Sequence, residues 1–285
     1  MKRVVIVIGF LLCAGLVRAQ FARSEVGIFG GVSYYVGDLN PSKHFLFSQP
    51  GFGIIYRYNL SPRFALKVNG FYGTLKASDA VSKANVRRNL SFRSYVTDIS
   101  LQVELNFLKY ITGHDKYVFS PYIFTGVSLF NFNPKAEYGG DWYSLQPLGT
   151  EGQGTTLPGV RPRYSLTNVA IPFGLGIKYS PAKFLCIGFE WGLRKTFTDY
   201  IDDVSTVYAD PLILAAENTE IAAILADRTI PEEGEVINNE GLQRGNSKTK
   251  DWYSFAGLFI QFRIKQKNTL CDAYKKHPKI KIRYH

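Results

Sequence analysis

The sequence predicts an all-β protein: a transmembrane antiparallel β-barrel of eight strands, with long extracellular loops, short periplasmic turns and a short helix in the last loop. Three features point there: an export signal at the start, eight segments in which apolar and polar residues alternate, and connections that are alternately short and long. They divide the chain into a signal peptide over 1–19, an outer-membrane barrel over 20–265 and a basic periplasmic tail over 266–285.

Lys2 and Arg3 precede an apolar run from Val4 to Leu16, and Val17-Arg18-Ala19 ends it as a cleavage site before Gln20. Cys13 does not make this a lipoprotein signal, because Leu11 and Leu12 stand where a lipid-transferring peptidase needs small side chains. Cleavage removes three of the 34 basic residues and none of the 23 acids, so the formal charge falls from +11 to +8. The remaining chain has no apolar run of the ~18 residues that cross a bilayer as a helix. Any crossing must therefore be made by strands. Cys186 and Cys271 are too few for a disulfide framework.

A strand between lipid and lumen shows one apolar and one polar face, so its residues alternate. Segments of this kind run over 24–37, 49–58, 63–75, 94–107, 117–133, 168–180, 184–198 and 251–265. The fourth is the clearest: Ile99, Leu101, Val103, Leu105 and Phe107 face one way, and Asp98, Ser100, Gln102, Glu104 and Asn106 the other. Short connections at 59–62, 109–116 and 180–183 alternate with long ones at 38–48, 76–93, 134–167 and 199–250. With the short set periplasmic and an even strand count, both termini fall in the periplasm. Extra pairing inside 134–167 would raise the count to ten. Outward-phase aromatics gather in two belts: Tyr34, Tyr72, Tyr95 and Trp252 near the long loops, and Tyr56, Tyr58, Phe64, Phe107, Tyr179 and Phe262 near the short turns.

A soluble sandwich or lipocalin-like barrel also alternates, but with its charges outside. Here the phase opposite the apolar set is rich in glycine and carries Glu25, Arg57, Lys67, Glu104, Lys178, Glu190, Arg194 and Arg263. Enclosed in a lumen that side chains just fill, these charges must form a paired structural network, since an unpaired buried charge is costly. Closure of the first strand on the last should bring Glu25 beside Arg263.

No catalytic, cofactor-binding or metal constellation emerges. His44, His114, His277 and His285 lack metal-ligand spacing, and a rim enzyme built from His44 with Asp199, Asp202 and Asp203 is the weaker reading beside a solvated loop. The same acids do not follow an EF-hand pattern and read as solvated or capping. Asp210 before Pro211 reads as the N-cap of a helix over 211–227. The tail carries Lys267, Cys271, Lys275 and Lys276 in a basic stretch suited to anionic headgroups or to a periplasmic partner. Neither nucleic acid nor a small-molecule substrate is implied.

The stretches EVGIFGGVSYYVGDLNP, TDYIDDVSTVYADP with LAAENTEIAAILADR, and RGNSKTKDWYSFAGLFIQFRI together resemble the PorG-like family of outer-membrane barrels of the Bacteroidetes type IX secretion system. The resemblance spans residues 25–271; the segment KKHPKIKIRYH at the end departs from it. It implies a non-enzymatic protein secretion component, linked in some members to gliding motility, that anchors or assembles a periplasmic ring of PorK and PorN type at the outer membrane. A surface adhesion barrel whose loops bind an external ligand is the alternative.

Overall fold

A computed structural model describes residues 24–233 and 235–264. The expected signal peptide and the tail residues Lys267, Cys271, Lys275 and Lys276 lie outside the described residues.

Alternation produces the strands. β1 (Ser24–Val36), β2 (Gln49–Asn59), β3 (Phe64–Ser78), β4 (Ser91–Asn106), β5 (Phe119–Tyr138), β7 (Thr167–Ala182), β8 (Leu185–Thr196) and β9 (Trp252–Arg263) pair antiparallel with their neighbours, and β9 pairs with β1 to close the ring. These eight strands form the barrel. A short β6 (Asp141–Ser144) folds back on β5 through Gly139 and Gly140, whose φ values of 62° and 92° suit a two-residue hairpin turn. Pairing inside the long insertion therefore builds a hairpin on the rim and adds nothing to the barrel count.

The outer face is apolar. Ile28, Ile54, Leu101, Val127, Leu175 and Leu258, one from each of six strands, are between 51% and 66% exposed. Such a continuous belt is untenable in water and matches hydrocarbon, while every backbone ladder is satisfied by closure. Among the described residues no helix is long and apolar enough to cross a membrane.

The core is the lumen. Inward phenyl rings lie over glycines of neighbouring strands: a Cβ on Gly53 would meet Phe71 at 1.9 Å, and one on Gly188 would meet Phe259 at 2.4 Å. That need for close approach accounts for the glycine-rich inward phase.

Three strands run farther than their alternation suggests. β3, β4 and β5 continue pairing to Ser78, Ser91 and Tyr138. Their outward positions there are Lys76, Arg93 and Lys135, so the apolar phase stops while the hydrogen-bond ladder does not.

The long loops fold over the mouth. They carry α1 (Asp79–Ser82), α2 (Leu145–Leu148), α3 (Pro211–Ile213), a π-turn (Leu214–Asn218) and α4 (Glu220–Ala226). The helix expected over 211–227 is thus broken. Asp210 caps its start, accepting from the amides of Leu212 and Ile213, but Thr219 adopts extended backbone and caps a second helix by accepting from Ala222 N at 3.1 Å.

Candidate functional site: a filled lumen and a capped mouth

The short-connection half of the lumen is filled by an ion-pair network whose members are set by strand phase. Arg57 is central: Nη1 donates to Glu25 Oε2 and Nε to Glu104 Oε2, each at 3.1 Å. Lys178 pairs with the other oxygen of Glu104, and Lys67 pairs with Glu190, which also accepts from Tyr122 OH at 2.7 Å. Farther up, Arg194 Nε lies 3.8 Å from Asp98 Oδ2, an ion-pair contact without a hydrogen bond. The same oxygen accepts from Tyr253 OH at 2.6 Å and Ser128 Oγ at 2.9 Å. Aromatic faces cover the cations: Lys67 lies 4.2 Å from the Phe124 centroid, and Arg194 lies against the Phe71–Phe255 pair, 5.2 and 4.8 Å from their centroids. The four buried cations of the strands meet four buried acids, Glu25, Asp98, Glu104 and Glu190, so this strand-borne network carries no net charge.

Strand closure brings Glu25 beside Arg263 as expected, but the two form no ion pair. The two residues are register partners across the β1–β9 seam, but the Glu25 carboxylate turns to Arg57, Asn59 and Thr112. Arg263, only half-buried at the edge, donates to the Thr112 carbonyl at 2.8 Å. Register fixed the neighbour; the deeper guanidinium took the charge.

Thr112 belongs to the connection 107–118, which dips into the barrel. Tyr110 and Thr112 are buried, Lys178 Nζ lies 4.4 Å from the Tyr110 ring centroid, and Gly113 N donates to Ser180 Oγ at 2.9 Å. This connection stoppers the short-connection end. Its tyrosine and threonine within a turn were the signal available in the sequence; Asp98, visible on the polar phase of its strand, is the acid that belongs beside the network.

At the other end Asp199, Asp202 and Asp203 of the last loop, expected to be solvated or capping, are buried. Asp199 is held locally by Ser205, but Asp202 and Asp203 are met by Tyr35, Thr150 and Tyr164 from far away in sequence. Glu151 Oε1 accepts from the amides of Ser205 and Thr206 and from Arg244 Nη1, at 2.8, 3.0 and 3.0 Å. Tyr164 OH donates to Asp203 at 2.6 Å and stacks on Tyr200 with centroids 4.5 Å apart. Arg88 grips Asp79 with two donors and reaches the Asp38 and Arg244 carbonyls, tying three loops together.

Tyr35 OH lies 2.6 Å from both Asp202 and Asp251. A phenol has one proton to give, so one of these carboxyls must hold a proton and donate back. Burial raises both carboxyls well above the usual range. It also lifts Asp199 to about 7, and Asp203 to about 6 despite the nearby Arg244.

His44 is not part of this cluster. It lies on the outside wall, with Nδ1 3.2 Å from Tyr34 OH and its ring edge-on to Trp191 at 6.1 Å. The barrel wall separates it from the acids, so these residues compose no rim active site. His44 and Phe45 also cover Tyr34, which follows the outward phase but is fully buried. Among the described residues no cluster of three or more His, Cys, Asp or Glu side chains is arranged to hold a metal ion.

Fold and site together define an outer-membrane-type, eight-stranded β-barrel with a filled lumen. Residues 2–141 match a family model described as "Domain of unknown function (DUF6089)". Comparison with curated proteins gives no sequence match. Similar solved structures include Ail, the attachment invasion locus protein of Yersinia pestis (9% identity, 85% of this chain and 98% of that chain, TM-score 0.39). Neisserial surface protein A is another (10% identity, 85% and 97% covered, TM-score 0.42). So is the outer membrane protein OprG of Pseudomonas aeruginosa (10% identity, 86% and 99% covered, TM-score 0.39). The fold itself is given by the closed strand pairing.

Proposed function

We propose that this protein is a non-enzymatic anchor: an outer-membrane barrel that holds or assembles a periplasmic secretion ring, as its sequence resemblance to PorG-like type IX components implies. The observation that carries this reading is the closed lumen, with a neutral ion-pair network on its strands, the 107–118 connection beneath it and packed loops above. Such a barrel is unsuited to conducting cargo and suited to being a fixed point. Both ends of the strand ring, Ser24 and Arg263, lie on the short-connection side, the periplasmic face in this reading, and in sequence the last strand is followed by the basic segment 266–285 with Lys267, Cys271, Lys275 and Lys276. The test is crosslinking from the 107–118 connection and from the tail in intact cells. Capture of PorK- or PorN-like ring proteins, lost when 266–285 is deleted, is the expected result; capture of no ring component contradicts the anchor.

One observation favours a second reading, a surface-binding barrel. The outer loops are locked by buried Arg88 and Arg244 into a fixed surface, which lowers the ordering cost of binding an external ligand. A partner set confined to extracellular ligands would support it over the anchor.

A further inference from the structure

Lys76, Arg93 and Lys135 stand side by side on three neighbouring strands. The register pairs Lys76 with Arg93 across β3–β4 and Arg93 with Lys135 across β4–β5, and all three fall on the outward phase at the long-connection end. Like charges directly opposite one another in a sheet are destabilising. Nothing within the fold relieves them: among the described residues none of the three forms an ion pair, including with Glu137, two residues farther along the same face of β5. Arg93 is nevertheless held in place. Its Nη2 donates to Tyr95 OH at 2.7 Å, its guanidinium carbon lies 4.9 Å from the Tyr95 ring centroid and 5.6 Å from that of Trp142, and its buried Nε has no partner.

The height of this row identifies what it faces. Tyr72 and Tyr95, stacked with centroids 6.0 Å apart, stand on the outward face between the apolar wall and the cations. Tyrosines of this kind mark the water interface of a bilayer, so the row lies at headgroup level. Strand spacing of ~4.8 Å makes it about 10 Å wide. One phosphodiester would neutralise one of its three charges; a headgroup with several phosphates matches both its width and its sign.

We propose that Lys76, Arg93 and Lys135 form a binding site for an outer-leaflet lipid whose headgroup carries more than one phosphate, with Arg93 as its preorganised centre. The assignment of leaflet rests on the long loops facing outward. The binding chemistry does not.

The full chain, reconstituted in phosphatidylcholine nanodiscs with bisphosphorylated lipid A, tests it by the lipid retained per barrel. Retention should fall at least about tenfold for K76Q/R93Q/K135Q and equally when the lipid A is dephosphorylated. It should persist in K76R/K135R, and millimolar inorganic phosphate should not displace the lipid. Folding is checked by the heat-dependent shift in gel mobility, and the single variant K135Q, at a half-exposed position, replaces the triple variant if that fails to fold. Equal retention by the glutamine variant, equal retention of the dephosphorylated lipid, or displacement by free phosphate would each overturn the proposal. The experiment contains no secretion partner, so its failure leaves the anchor reading untouched.

Discussion

The two ends of this lumen are neutralised by different means. In the inner part, the lumen network, four buried acids face four buried cations, all carried on strands. In the outer cap, six buried acids, Asp79, Glu151, Asp199, Asp202, Asp203 and Asp251, share two buried cations among the described residues, Arg88 and Arg244. Ion pairing closes the first account; the second needs protons, most plainly where Tyr35 stands between Asp202 and Asp251. The inner half should therefore depend on its partners and the cap on pH.

The largest effect is expected in the inner half. Glu104→Ala strands Lys178 and leaves Arg57 with Glu25 as its one acid, and should cost about 3–5 kcal/mol in urea-induced unfolding from lipid vesicles. The pairwise replacement Lys67→Met with Glu190→Leu should cost much less than either single change, because it leaves no charge behind. Arg244→Ala should then separate the two regions. It removes the donor shared by Glu151 and Asp203, raising hydrogen exchange of residues 197–210 by roughly 100-fold while strand protection holds.

Acidity sharpens the contrast further. The folded-state pKa of about 6 for Asp203 and about 7 for Asp199 stands above the ordinary 3.8, so the folded cap binds more protons than the open one. The resulting stability is fully present below pH 4 and is lost as pH rises through 6 to 7. Exchange protection of 197–210, corrected for intrinsic rates, should accordingly be higher at pH 5 than at pH 8. The smallest effect is Thr219→Ala, which removes the cap of α4 and should loosen that helix by about 1 kcal/mol, read from its own amides.

The inner half was also the more legible in sequence, for the same reason. A strand places every second residue on one face, so Arg57, Lys67, Glu104, Lys178, Glu190 and Arg194 could be assigned to one side by counting alone. Counting does not choose among neighbours within reach: it places Glu25 beside its register partner Arg263, but the carboxylate turns to Arg57. Loop positions have no such period. Asp203 is buried because Thr150, Tyr164 and Arg244 meet it from three segments, and Thr112 enters the lumen because its connection is long enough to fold inward. Those placements are made by tertiary contacts. The charged ends of β3, β4 and β5 escaped for a third reason: alternation was judged by its apolar members, and Lys76, Arg93 and Lys135 replace them while the ladder continues.

The closed lumen is the claim on which the anchor reading stands, and solute permeability tests it most directly. Proteoliposomes carrying the purified barrel, with membrane insertion verified by protection of the strands from protease, should swell no faster in a small sugar than protein-free liposomes. Swelling that scales with the amount of inserted protein would reveal an open path past Arg57 and Glu104 and would contradict the account.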